Sequence, residues 1–208
     1  MGEATKSPLR VHFDCRLKLE FRGTTITSDA GLLAFRELDD ALGLTGMAAS
    51  RLTECRKGKN TQHALVALLR QSIFGRLAGY EDVNDAERLR LDPAMRSLVG
   101  HGDAPRYAAS TSEMARFETE QLATEENLEA LPDLSGHWID RVYERTALKD
   151  LVLDMDSSDS PTFGQQEGST FNGHFGFTCY HPLFVFNQFG GLERAMLRPG
   201  NVHGSKGW

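Results

Sequence analysis

Three aspartates fall close together in the stretch Leu151-Val152-Leu153-Asp154-Met155-Asp156-Ser157-Ser158-Asp159. The apolar run before them reads as a buried strand over 151–156. Residues two apart on a strand face the same way, about 6.5–7 Å apart. At about 6 Å and an effective dielectric of about 20, two carboxylates repel by roughly 3 kcal/mol. No Lys or Arg lies between Lys149 and Arg194 to neutralise them. A retained proton or a divalent cation relieves such a pair, and oxygen-only ligands favour Mg2+ or Mn2+. The plainer alternative is a strand end whose aspartates cap the next turn.

Three reaction classes use an apolar strand that ends in Asp-x-Asp. They are haloacid-dehalogenase-type phosphatases, sugar-nucleotide transferases, and ribonuclease-H-like nucleases or transposases. A phosphatase of the first kind continues into a helical crossover and needs later Lys and Asp motifs. Here a Gly-rich, aromatic stretch follows instead, then a strand-like segment over 171–189 and a third over 192–197. A strand followed by hairpin partners is how the ribonuclease-H-like fold begins.

The elements before residue 147 read as helical. Leu32, Leu33, Phe35, Leu38 and Leu42 recur at helical spacing after a Ser28-Asp29 cap, and Gly43 closes that helix. A loose alternation over 11–26 allows a hairpin near Arg22-Gly23. A short helix is expected over 47–55, followed by the basic loop Arg56-Lys57-Gly58-Lys59-Asn60. Over 61–80, Leu65, Leu68, Leu69, Ile73, Leu77 and Tyr80 make one apolar stripe. Gly75 and Gly79 call for close packing at its end. Asp92-Pro93 starts a short helix that Gly100 ends. Thr111-Ser112 starts a long polar helix through Leu122, and Trp138, Ile139, Val142 and Tyr143 mark another.

Several blocks stand in a fixed order: 28–33 (Ser-Asp-Ala-Gly-Leu-Leu), 79–85 (Gly-Tyr-Glu-Asp-Val-Asn-Asp), 109–118, the run 151–168 through Gln165-Gln166-Glu167-Gly168, then 171–176, 179–186 and 197–203. In this order they resemble a family of bacterial insertion-sequence transposases of the DDE type. The resemblance implies three carboxylates that hold two divalent ions, Mg2+ or Mn2+, which activate water or a DNA 3′-hydroxyl and stabilise the leaving oxygen. Asp156, followed by Ser157-Ser158, matches the first of the three. Asp154 supports it or takes its place, and Asp159 orients a metal-bound water. The family's second Asp and final Glu lie beyond the block that ends at His203, and neither Glu167 nor Glu193 matches them. The resemblance therefore implies the N-terminal part of a transposase, inactive alone.

The implied fold is α+β. A helical region, 1–147, holds transposon-end DNA, and the first three strands of an incomplete ribonuclease-H-like domain follow over 148–208. The implied function is DNA transposition, by metal-dependent cleavage and strand transfer at insertion-sequence ends, with double-stranded terminal-repeat DNA as the partner. Two other readings stand beside it: a non-catalytic DNA- or transposase-binding remnant, and a magnesium-dependent phosphatase.

Composition narrows these readings. The 208-residue chain carries a net charge of −6, and only residues 1–60, with ten basic and eight acidic side chains, are net basic. DNA affinity must then come from local patches. Arg56, Lys57 and Lys59 are candidates for phosphate contacts, against a plain solvated turn. Ser112 and Arg116, with Glu113, are candidates on the second helix of a helix-turn-helix made by 92–100 and 111–118. The connection between those helices is longer than that motif uses, which favours a packing helix. No apolar run approaches the roughly 18–20 residues that cross a bilayer, and the N-terminus has no secretory apolar region. Cys15, Cys55 and Cys179, odd in number and far apart, fit a reducing bacterial cytoplasm better than a disulfide framework or a zinc site. His174 and His181 read as strand residues. Phe171, Phe175, Phe177, Phe184, Phe186 and Phe189 read as core. An uncovered Phe-rich face and an open sheet edge imply self-association.

Overall fold

A computed structural model of the chain describes residues 9–19, 29–58, 61–101, 104–144 and 148–207. The hairpin expected near Arg22-Gly23, the Ser28 cap and Lys59 lie outside the described residues. The fold is α+β, with helices first and small antiparallel sheets after them. It divides into two compact units, 1–128 and 129–208. The division expected after residue 147 thus falls inside the second unit.

Among the described residues of the first unit a two-stranded ribbon, β1 (Leu9–Arg10) and β2 (Lys18–Leu19), precedes seven helices, the last of which continues past residue 128. These are α1 (Leu32–Leu42), α2 (Leu44–Arg51), α3 (Leu65–Leu77), α4 (Ala86–Leu89), α5 (Pro93–Val99), α6 (Thr111–Arg116) and α7 (Glu125–Ala130). Gly43 ends α1 at φ 76°, as its position suggests. Gly79 closes α3 at φ 86°, with the Tyr80 N–H on the Gly75 carbonyl and the Gly79 N–H on that of Arg76, both at 3.0 Å. That pair of bonds is a Schellman closure, which needs the left-handed residue that only glycine adopts cheaply. Asp92 caps α5 by accepting the Met95 N–H at 2.8 Å, with Pro93 at the first helical position. The expected 47–55 helix runs instead over α2. The long helix expected from Thr111 is six residues of α-helix and then one π-helical turn, Phe117–Gln121.

The apolar stripes need correction. Phe35 and Leu38 of α1 are half exposed, as is Leu77 of α3, while Arg36 and Asp39 are buried. The cause is a polar network that joins α1, α2 and α3 and reaches α5. Arg36 donates from Nε to the Leu98 carbonyl at 3.0 Å and pairs with Asp40. Asp39 accepts the Thr45 N–H at 2.8 Å and also its hydroxyl. Arg70 Nε donates to Thr45 Oγ1 at 3.0 Å. Thr45 lies in the first turn of α2, where a backbone N–H has no helical partner. Turning Asp39 inward supplies one, and the rest of the helix rotates with it. Apolar packing continues beside this network through Leu32, Leu33, Phe74, Leu89, Met95 and Leu98.

Among its described residues the second unit holds α8 (Leu134–Tyr143) and six strands: β3 (Leu153–Ser157), β4 (Ser160–Pro161), β5 (Thr170–Asn172), β6 (Phe177–Tyr180), β7 (Leu183–Asn187) and β8 (Leu192–Met196). They form two antiparallel sheets, in the orders β3-β7-β8 and β4-β6-β5. The single strand expected over 171–189 is therefore three strands. Asn172 breaks it first, by accepting the His174 and Phe175 N–H groups with its side chain. Pro182, which has no N–H, breaks it again. Gly136 lets α8 approach β8, since a Cβ there would lie 2.6 Å from the Glu193 carbonyl oxygen. Ser135 Oγ donates to that same carbonyl at 3.1 Å.

Candidate functional site

The strand that carries the aspartates is an edge strand. β3 pairs only with β7 among the described residues, and its other edge is open. It is exposed rather than buried, because neither that edge nor the side chains of Leu151, Val152, Leu153 and Met155 are covered. Asp154 stands opposite Phe186, and Asp156 opposite Phe184. Those two rings lie 6.2 Å apart. The even-numbered positions of β3 therefore present two carboxylates beside two half-buried aromatic rings. Among the described residues, neither Asp154 nor Asp156 forms an ion pair.

β3 and β4 continue one another, as do β6 and β7. Leu153 pairs with Asn187, Ser157 with Leu183, Ser160 with Tyr180 and Pro161 with Cys179, all in a single register. Ser158 N–H donates to the Pro182 carbonyl at 3.1 Å, and Thr162 N–H to that of Thr178 at 3.0 Å. The two sheets thus share one long ribbon, interrupted only where Pro182 cannot return a bond. Alternation along it puts Asp159 on the side opposite Asp154 and Asp156. There its charge adds to burial in pushing the Cys179 thiol up. The three aspartates do not converge, and no group of three or more metal-binding side chains occurs among the described residues.

Two carboxylates on one strand face, with no ion-pair partner among the described residues, form the kind of donor set a hard divalent ion uses. They supply only part of its shell of about six oxygens. Mg2+ or Mn2+ fits Asp154 and Asp156 on that ground, and Asp159 lies apart.

The first unit gathers the two basic patches singled out in the sequence. Arg56, Lys57, Gly58, Thr61, Gln62, Arg116 and Gln121 line one groove of about 390 Å³ with Glu113 and Glu120, over Leu68 and Phe117. Ser112 and Arg116 are both exposed on α6, one turn apart. Arg56 is held by Glu54, with Nε 2.7 Å from Oε1, and this hydrogen bond keeps the Glu54 carboxyl below its usual range. Glu113 meets His63 Nδ1 at 2.9 Å, so its charge is engaged by a neighbour. Arg116 and Lys57 have no ion-pair partner among the described residues. Helix α6 packs on the turn at 83–85 and on α4, whereas α5 packs on α1 and α3.

Sequence reading missed the residues that brace the ribbon. Arg198 is buried and, among the described residues, donates only to carbonyls: His181 at 2.9 Å, Gly204 at 2.9 Å and Lys206 at 2.5 Å. Burial pulls its guanidinium below the usual arginine range. Pro199 bridges to Tyr180, and Asn201 N–H donates to Thr170 Oγ1 at 3.2 Å. The signal was present as Arg198-Pro199-Gly200-Asn201, a cluster of turn-forming residues after a strand. His181 is buried against the same segment, with Nδ1 3.2 Å from the Val202 carbonyl, so it serves as structure. His174 is exposed in the turn after Asn172.

Searches for similar curated proteins and for similar solved structures found no match. The model of one family, described as transposase DDE domain group 1, does match, and it covers residues 9–208. With nearly its whole length matched, the chain belongs to the DDE transposase family.

Proposed function

We propose that the chain acts in DNA transposition through metal-dependent DNA cleavage and strand transfer at insertion-sequence ends, with Asp156 as its principal carboxylate and Asp154 beside it. One observation carries this reading within the family. The unpaired Asp154 and Asp156 lie on the first strand of the antiparallel order β3-β7-β8, which is how a ribonuclease-H-like sheet begins. Bound at this pair, a divalent cation supplies Lewis acidity to a phosphoryl oxygen and makes a nearby water or hydroxyl easier to deprotonate. Asp154 and Asp156 provide the charge that holds it. Phe184 and Phe186, half-buried and opposite them on β7, flank the pair. The open edge of β3 leaves room for another strand. The test is a titration with Mn2+ followed by electron paramagnetic resonance. Weak binding that Asp156→Asn and Asp154→Asn each reduce supports the reading. Binding unaffected by either substitution overturns it.

The groove on the first unit serves as the DNA-binding surface in this reading, through Arg56, Lys57 and Arg116, with the exposed Ser112 one turn before Arg116 on α6; Lys59, outside the described residues, joins them from the sequence alone. With a net charge of −6, the chain depends on these local cations for any grip on phosphate. Charge reversal at Lys57 is expected to weaken binding to all sequences and to flatten its salt dependence by about one unit of slope. Arg116→Ala is expected to act mainly on the terminal-repeat sequence, by roughly 1–3 kcal/mol. Gel shifts across a salt series check both. No effect from either makes the groove ordinary surface.

The open edge also bears on assembly. Leu151, Val152 and Leu153 are about half exposed at and just before the open-edged strand β3. Covering the remaining half of each is worth about 1 kcal/mol per side chain. The chain is expected to associate at high concentration by light scattering, and Leu153→Lys is expected to reduce association by placing a charge on the edge. Identical scattering by the two proteins would count against edge pairing.

A further inference from the structure

The far end of the ribbon carries a loop, 162–169, to which the sequence reading gave no role. At its tip Phe163 is 87% exposed, the most exposed large apolar side chain among the described residues. The loop is nonetheless anchored. Thr162 Oγ1 donates to the Thr178 carbonyl at 3.1 Å, and Ser169 Oγ to that of Gln166 at 2.8 Å. The Tyr180 hydroxyl donates to the Glu167 carbonyl. Gly164 and Gly168 turn the chain at φ 74° and 75°. The ring is thus displayed to water by a braced loop.

Charge limits what the tip can bind. No Lys or Arg occurs between Lys149 and Arg194, and the tip itself carries Glu167. It has no cation with which to hold phosphates. What it offers is a ring face and the exposed amides of Gln165 and Gln166. A ring face stacks on a base, and a glutamine amide matches a base edge. An intact duplex hides its base faces, so this chemistry suits an unpaired base. The loop also continues the strand of the carboxylates. Phe163 lies seven positions beyond Asp156, about 23 Å along the ribbon. A DNA strand held at Asp156 and running along the ribbon reaches the tip several nucleotides away.

We propose that Phe163, with Gln165 and Gln166, forms a site for an unpaired base of the substrate DNA, set apart from the carboxylates on the same ribbon. This rests on the reading of the chain as a protein that acts on DNA ends. The test uses the full-length chain with two probes: oligothymidylate carrying one fluorescent adenine analogue, and a blunt duplex of equal length. The single strand is expected to bind with a change in the analogue's fluorescence. Phe163→Ala is expected to weaken that binding roughly 5- to 150-fold and abolish the fluorescence change. Phe163→Trp is expected to retain both, as is Leu197→Ala, which removes exposed apolar surface elsewhere in the same unit. Single-strand binding indifferent to Phe163→Ala overturns the proposal alone, as does an equal loss on single strand and duplex. A Phe163→Ala protein that loses self-association but keeps its DNA affinity assigns the ring to a protein contact and overturns the proposal too. Failure of the unsubstituted chain to bind DNA of any form overturns both the proposal and the reading beneath it.

Discussion

Asp156→Asn is expected to abolish strand cleavage by any assembly that contains this chain, a loss of at least about 100-fold, while DNA binding persists. Groups that merely orient metal ligands cost up to about 100-fold when removed, so loss of a direct ligand should cost no less. Asparagine keeps the shape of the side chain and one acceptor oxygen but removes the charge. Position 156 lies on an exposed strand, opposite Phe184, with no ion pair among the described residues to disrupt. The substitution should therefore leave the fold intact, and a loss of activity can be read as chemistry. Asp154→Asn is expected to cost less, because the proposed function makes Asp156 the principal carboxylate and Asp154 its neighbour. Cleavage of terminal-repeat DNA, measured beside a gel shift, separates the two residues. The reverse ranking would transfer the principal role to Asp154. Loss of DNA binding together with cleavage would place these aspartates in the fold or the interface instead.

Helix ends were more legible in the sequence than helix faces. Gly43, Gly79 and the Asp92-Pro93 pair act through their own backbone preferences, and these operate without knowledge of any partner. Burial does not. Leu38 has the higher intrinsic tendency to be inside, yet Asp39 is inside because Thr45 and Arg70 satisfy it there. Those partners lie on two other helices, and periodicity along one helix carries no information about them. Gln71 is a similar case. Its side chain bonds both the N–H and the carbonyl of Ala109, at 2.7 and 2.8 Å, in a part of the core where an apolar residue would leave both groups unsatisfied.

The candidate site divides along the same line. Asp154 and Asp156 were visible because two-residue spacing on a strand is a local rule. The exclusion of Asp159 required the register between β4 and β6, a relation between residues about twenty apart in the chain. The apolar run 151–155 suggested a buried strand because apolar residues commonly are buried. Its exposure follows from the order of pairing, which leaves β3 on the edge. The basic loop and α6 were noted as separate patches. Their meeting in one groove depends on the packing between them.

Gly200→Ala is expected to destabilise the second unit by about 3 kcal/mol. Gly200 follows Pro199, which bridges to Tyr180, so its backbone is held against the ribbon. A Cβ at this position would lie 2.5 Å from the Cys179 carbonyl oxygen, 2.8 Å from the Cys179 Sγ, and against the Thr170 carbonyl oxygen. Gly200 does not have a positive φ, so the cost is steric rather than conformational. Two of the three obstructing atoms belong to the backbones of β5 and β6, which are paired with each other and cannot retreat separately. Cys179→Ala removes only the sulfur, so the double substitution is expected to show no rescue. Denaturant unfolding measures the loss. Hydrogen exchange should locate it in Thr178, Cys179 and Tyr180, with the helical unit unaffected. Because β6 runs on into β7, loosening there reaches the strand that flanks Asp154 and Asp156. Any cleavage activity should accordingly fall with temperature sooner in Gly200→Ala than in the unsubstituted chain. Unchanged unfolding, or full rescue by Cys179→Ala, would mean that the 198–204 segment moves aside and does not brace the ribbon.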